Sequence, residues 1–338
     1  MDHSNARTKF ANYPKSLSSV ARPGKSPSKI SMKRYHDGMD RRAFLVAATA
    51  IAGCGRSGAQ PDLLWGKRGV VNGDFVRPRA IAILPGDRLY IVDFTARIQA
   101  YDADGQYLGI TWQTPDYRNG RPSGLSVSND GNLIVSDSHY FTVRVYTPTG
   151  EPVFTLAGKS GSEPGEFGYI SDAVQAPNGH WFISEFGANE RISCLDRAGR
   201  CISTWGQMGT APGQFNHIRA LAIGPDSCLY VADAGNHRVQ VFDLNGQFLR
   251  AIGGDGDDPG CFGYPYDISF GPKGHLYVVE RGHQRVQKLA IDGTPLAMWG
   301  GPGRMPGKLY SPWALAVDSR DRVHIVDTEN HRVQRIRI

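Results

Sequence analysis

Leu229-Tyr-Val-Ala-Asp233-Ala-Gly-Asn-His-Arg238 decides the fold, because five other stretches repeat its plan. Leu89-Tyr-Ile-Val-Asp93, Leu133-Ile-Val-Ser-Asp137, Trp181-Phe-Ile-Ser-Glu185, Leu276-Tyr-Val-Val-Glu280 and Val323-His-Ile-Val-Asp327 are also short apolar runs ending in an acid. After each acid a short polar link leads to an arginine: Arg97, Arg144, Arg191, Arg238, Arg285 and Arg332, 47 residues apart at every step. Self-similarity at a fixed period is the signature of a repeat architecture.

Each unit carries four strand signals. A first run, such as Ala220-Leu-Ala-Ile223, is followed by a turn such as Asn129-Asp-Gly131 or Pro272-Lys-Gly274. The acid-ended run is the second strand, and the third is expected to start at the arginine, as in Arg238-Val-Gln-Val-Phe242. A glycine turn (Gly105, Gly150, Gly199, Gly246 or Gly293) leads to the fourth. The near-continuous apolar runs suit strands buried on both faces. Four strands per unit, six units and no helical periodicity predict an all-β, six-bladed β-propeller. The last unit runs out at Ile338 within its third strand, while Asp62-Leu-Leu-Trp-Gly66 precedes the first unit as an orphan. That orphan is expected to complete the last blade and remove the open edges.

The 338 residues are 40% hydrophobic, with 41 Gly and 21 Pro, which fits many short strands and turns. No apolar run reaches the roughly 18–20 residues of a helical membrane span. The net charge of +6 is misleading. Ten of the 38 Lys and Arg lie in residues 1–53 against three of the 32 acids, which leaves 28 bases and 29 acids, a net charge of −1. Nucleic acid is therefore not an expected partner.

Residues 1–53 read as a leader, 54–61 as a linker and 62–338 as the propeller. Arg41-Arg42 precedes the Ala-rich stretch Ala43–Gly53, the charged and apolar regions of a signal peptide. Arg41-Arg42-Ala-Phe-Leu45 resembles the twin-arginine export motif, though Sec export stays open. Ile51-Ala-Gly-Cys54 resembles the bacterial lipobox, which implies lipidation at Cys54, export, and a membrane reached through the lipid anchor only. A mitochondrial transit peptide is the rival, because residues 3–36 are rich in Ser, Lys and Arg and hold no acid. A compact charged region requires a start at Met39 or Met32 instead of Met1.

Asp233-Ala-Gly-Asn-His-Arg-Val-Gln240 and Asp327-Thr-Glu-Asn-His-Arg-Val-Gln334 resemble the NHL repeat, and the resemblance covers about residues 62–338. It implies a six-bladed propeller and, most often, a binding surface. Blade 5 has Arg-Gly-His-Gln-Arg instead, and blades 1 to 3 keep the acid and Arg but lose Asn-His. The repeated acid and Arg read as a polar lock between second and third strands, since a buried charge must be paired. His139, His237 and His331 fall in alternate blades, but His283 spoils a metal pattern, so no metal ligand is assigned.

The same resemblance places the residues flanking the start of each inner strand near one mouth of the channel. Those before it are Arg77, Arg121, Tyr169, His217, Tyr264 and Ser311; those after it are Arg79, Ser123, Ser171, Arg219, Tyr266 and Trp313. Arg79, Arg121, His217, Arg219, Tyr266 and Trp313 are the candidate ligand-binding residues. Arginines offer paired donors to an anion, and aromatic rings stack on sugars or peptides. The expected partner is an anionic small molecule, a glycan or a protein, bound by a monomer with no cofactor and no catalytic residue. Asp172 and Asp267 replace a small residue one position later and are expected to pair with ring arginines or a cation. The rival reading is a propeller enzyme at the channel mouth. A lyase similar to peptidylglycine amidating lyase would place zinc-binding His at Arg79, Ser171 and Tyr266, or at Ser123, Arg219 and Trp313, and none is His. A lactonase-like hydrolase would need more channel carboxylates than Asp172 and Asp267. Cys194, Cys201, Cys228 and Cys261 lack metal spacing. A hairpin disulfide between Cys194 and Cys201 and free thiols both stay open.

Overall fold

The computed structural model describes residues 60–338 except 116, 117, 119 and 158. Six four-stranded antiparallel sheets follow one another as the blades of a propeller. Blade 4 shows the plan: Ile218–Ile223, Leu229–Asp233, Arg238–Phe242 and Phe248–Gly253, from the channel outward. The core is divided into six apolar clusters, one at each interface between neighbouring sheets. That is why the second strands are apolar on both faces: Leu229, Tyr230 and Val231 are all fully buried, yet they belong to two different interfaces. Burying one such side chain stabilises by about 1.5–3 kcal/mol.

The ring closes as expected. Leu63–Trp65 pairs with Arg332–Ile336, with Leu63 opposite Arg335 and Trp65 opposite Val333. Arg335 clasps the joint, donating to Asp62 at 3.0 Å and to Asp104 of blade 1 at 2.7 Å. The Trp65 indole lies over Gly105, whose φ of +77° and missing Cβ make room for it.

All six acid–arginine pairs form: Asp93–Arg97, Asp137–Arg144, Glu185–Arg191, Asp233–Arg238, Glu280–Arg285 and Asp327–Arg332. Every one of these acids is fully buried. The arginines do more than join two strands. Arg238 also donates to Ala211 O and Gln214 O in the loop that enters the blade, and Arg285 and Arg332 bind their own entering loops likewise. Each such loop seats a buried residue beneath it: Phe75, Phe167, Phe215, Phe262 or Leu309.

Blade 2 departs from the expected register. Its third strand starts at Thr142, and Arg144 pairs with Val135, the place that Gln240 holds opposite Val231 in blade 4. The 47-residue spacing therefore hides a shift of two positions. The turn Ser138–Tyr140 matches the turn Ala234–Asn236, so the hairpin has the usual length and only the arginine has moved. Cys194, Cys201, Cys228 and Cys261 are free thiols. Burial pushes the Cys194 thiol up to about 11, which leaves it unreactive. The leader and Cys54 lie outside the described residues.

Candidate binding site at the channel mouth

The mouth is built where the entering loops deliver the chain to each inner strand. Arg77, His217, Tyr264 and Ser311 take left-handed backbone there, with φ between 49° and 60°. Such backbone is unusual for these residue types and needs outside support. The neighbouring blade supplies it. His331 Nδ1 accepts from Arg77 N at 3.0 Å, Glu190 Oε2 from His217 N at 2.8 Å, His237 Nδ1 from Tyr264 N at 3.2 Å, and Gln284 Oε1 from Ser311 N at 3.2 Å. The histidines of the repeat thus clasp one blade to the next.

The six candidate residues converge, though as a plug and not as an exposed ring. The Arg79 guanidinium lies 4.5 Å from the Trp313 ring centre. That of Arg219 lies 4.1 Å from Tyr266 and 5.7 Å from Trp313. Tyr266 and Trp313 are themselves in contact, with ring centres 5.2 Å apart. Arg121 stacks on Phe94 at 4.1 Å and donates through Nε to Phe94 O. His217 sits between Phe186 and Tyr264. Such cation–π contacts attract guanidiniums to ring faces without using their N–H donors.

The other flanking residues serve the scaffold. Arg77 turns to the rim and pairs with Glu329 at 3.2 Å. Ser123 donates to Ser171 O, and Ser171 shares a buried hydrogen bond with Ser184. Tyr169 stacks on Phe141 and makes tilted ring contacts with His139 and Phe186.

Three participants lie outside the flanking positions: Phe94, Phe186 and Arg281. Each directly follows the acid of its second strand, in blades 1, 3 and 5. The matching residues of blades 2, 4 and 6 are Ser138, Ala234 and Thr328, all small and buried. That alternation of large and small was the available signal.

Electrostatically the mouth is positive. No carboxylate pairs with Arg79, Arg121, Arg219 or Arg281 among the described residues. Burial, reinforced by Arg219, lowers Arg79 to about 10, so it stays charged at neutral pH. Burial and the charges of Arg219 and Arg281 lower His217 to about 4 and keep it neutral. His139 is lowered by burial and by Arg79 and Arg121.

Asp172 and Asp267 do not pair with the ring arginines. Asp172 accepts from Ala173 N and, across the interface, from Leu221 N at 3.0 Å; Asp267 accepts from Ile268 N and from Leu315 N at 3.0 Å. Backbone amides of the next blade are nearer and fixed, so they take the carboxylates. The two aspartates border both a cavity of about 20 Å³ under the arginines, room for one water, and a chamber of about 310 Å³ below it. Burial raises Asp172 to about 7. Burial and the charge of Asp172 raise Asp267 well above the usual carboxylate range.

The NHL repeat pattern matches residues 215–242 and 309–336. The chain carries NHL repeats. The peptidyl-glycine alpha-amidating monooxygenase of Mus musculus is 34% identical over 126 residues, which make up 34% of this chain and 13% of that protein. Its Rattus norvegicus counterpart is 33% identical over 125 residues, with the same coverage. The chain spans about 13% of the length of these curated relatives. Among solved structures, a Bacteroides thetaiotaomicron protein of unknown function is similar with a TM-score of 0.64 and 16% identity, over 82% of this chain and 75% of that one. A putative gluconolactonase follows at 0.59 and 15%, over 82% and 97%. A streptogramin B lyase follows at 0.57 and 12%, over 80% and 96%. At these identities the likeness concerns the propeller fold alone. The zinc-site positions implied by the amidating lyases hold Arg79, Ser171 and Tyr266, or Ser123, Arg219 and Trp313, which do not fit zinc. Among the described residues no three His, Cys, Asp or Glu side chains converge as metal ligands.

Proposed function

We propose that this NHL-repeat propeller is a binding module that captures an anion at its channel mouth. One observation carries the reading. Arg79 and Arg219 are half-buried, and their buried Nε groups have no hydrogen-bond partner among the described residues. Neither guanidinium makes a side-chain hydrogen bond or ion pair there. A buried donor left unpaired calls for water or a ligand, and two guanidiniums stacked on Trp313 and Tyr266 present a fork suited to carboxylate or phosphate. Export with a lipid on Cys54 belongs to the same proposal, supported by Arg41-Arg42, the apolar stretch and Ile51-Ala-Gly-Cys54.

Calorimetric titration with organic and inorganic anions tests the site. Arg219→Ala is expected to cost about 1.5–3 kcal/mol of anion affinity, the scale of a charged hydrogen bond. Trp313→Ala is expected to weaken anions that carry a ring and spare small inorganic ones. Unchanged binding by both variants would place the functional site elsewhere. The match to amidating monooxygenases favours one rival, a metal-dependent propeller enzyme. It requires stoichiometric uptake of zinc or calcium, and a zinc titration followed by NMR of the His139 and His217 imidazoles, with a calcium titration followed by calorimetry, separates the two readings.

A further inference from the structure

The interface between blades 5 and 6 departs from the other five beside this mouth. Tyr310 precedes Ser311, and its backbone N–H donates to the lock acid Asp327 at 2.7 Å. The equivalent donors to lock acids are Val76, Gly168, Asn216 and Gly263. None of them is aromatic, and blade 2 has Gly120 at the matching place. The lock uses only the backbone of this residue, so the scaffold does not call for a tyrosine. The Tyr310 side chain is 40% exposed, with Arg304 over its ring at 5.0 Å.

Tyr310 walls an open groove of about 380 Å³ together with Tyr264, Arg281, Gly282, Gln284 and Ser311. That volume lies in the range of small-molecule sites. The groove shares no lining residue with the cavity at Arg79 and Arg219, but side-chain contacts join the two. Arg281 lines it and also lies 5.6 Å from the Tyr266 ring. Tyr264 lines it and contacts Tyr266 at 6.0 Å, and Tyr266 carries the Arg219 guanidinium. Arg281 spends its Nε on Ser311 Oγ at 3.0 Å, which fixes its fork at the junction.

We infer that the ligand is an organic oxyanion in two parts. Its carboxylate or phosphate sits on Arg79 and Arg219, and its ring, aromatic or sugar, lies in the groove between Tyr264 and Tyr310. The inference rests on the anion-binding reading and adds the ligand class. A bare inorganic ion would engage the arginines and leave the groove empty. A ring gains stacking area on the two tyrosines that wall the groove.

Calorimetry on the full chain would compare inorganic phosphate with phenyl phosphate and glucose 6-phosphate, and acetate with benzoate. At least one ring-bearing anion is expected to bind ten-fold or more tightly than its bare counterpart. Tyr310→Ala is expected to abolish that gain while leaving the bare ion and the melting temperature unchanged. Tyr310→Phe is expected to keep the gain. If bare ions bind through Arg219 but ring-bearing ones bind no better, or if the gain survives Tyr310→Ala in a folded variant, the two-part ligand is overturned and the anion site stands. If neither kind of anion binds the wild-type chain, the anion site falls and takes this inference with it. The comparison of anions on the wild-type chain holds even if a variant fails to fold.

Discussion

Arg238 and Arg219 belong to the same blade and have opposite surroundings. Arg238 donates from Nε to the fully buried Asp233 at 2.8 Å and from its terminal nitrogen to Ala211 O and Gln214 O, each at 2.9 Å. Arg219 lies over the Tyr266 ring at 4.1 Å with no acceptor for its Nε among the described residues. Arg238 recurs in every blade but the second, at one register position; the position of Arg219 holds an arginine in blades 1 and 4 only, as Arg79 and Arg219. The contrast teaches that repetition marks an arginine tied to a buried acid of its own blade. Arg79 and Arg219 have neither an acid nor an entering loop to hold among the described residues, and their guanidiniums lie over aromatic rings at the mouth instead.

The sharpest way to break this contrast is to remove one residue from each region. Asp233 accepts from Asn236, Arg238 and Gln240 at once. Asp233→Ala would leave a largely buried cation unpaired, and a loss of about 3–5 kcal/mol is expected. Arg219→Ala removes no acceptor or donor that another group uses, and should change stability by less than about 1 kcal/mol. Denaturant unfolding of the two variants decides the matter. If Arg219→Ala unfolds as readily as Asp233→Ala, the mouth arginines belong to the scaffold.

Carboxylates divide in the same way, and pH sharpens the division. The lock acids have arginine partners, whereas Asp172 and Asp267 have only backbone amides. Burial raises Asp172 to about 7, above the roughly 3.9 of an unfolded chain, and it raises the lock acid Asp327 too, against the pull of Arg332. A raised carboxyl destabilises the fold when it is forced to ionise. Its penalty is absent below the unfolded value, grows as pH rises, and is complete above about 7. Between pH 8 and pH 6 the wild-type chain should gain on the order of 1 kcal/mol relative to Asp172→Asn. Urea unfolding at pH 6, 7 and 8 measures this. A constant difference would mean that Asp172 does not titrate in that window.

Where repetition constrains the chain, the sequence was readable. Six acid-ended strands, the closing strand at Leu63–Trp65 and all six acid–arginine pairs were legible, because each blade must meet identical neighbours. The mouth was legible in part. Flanking positions gave Arg79, Arg219, Tyr266 and Trp313 their common location. Phe94, Phe186 and Arg281 were missed because they follow the lock acids, where blades 2, 4 and 6 hold only small residues. The partners of Asp172 and Asp267 were missed because backbone amides of another blade leave no mark in the sequence. Arg144 misled through its spacing, since counting along the chain does not see strand register.

Arg144 also offers the finest test, because blade 2 is a natural exception to the lock. It stands where Gln240 stands in blade 4, and Thr142 stands where Arg238 does. Yet Arg144 Nε still reaches Asp137 Oδ2 at 3.2 Å, so a cation serves the buried acid from the wrong rung of the ladder. If the lock needs only one cation within reach of each acid, the double variant Thr142→Arg with Arg144→Gln restores the common pattern at little cost. Its stability is expected to stay within about 1 kcal/mol of wild type, because the buried acid exchanges one pairing for another. Arg144→Gln alone removes the Arg144 bond to Asp137 and adds none, and should be less stable than the double variant. Thermal melts of the single and double variants give the coupling between the two positions. Zero coupling would mean that an arginine at 142 cannot replace the one at 144, and that blade 2 holds its acid by an arrangement of its own.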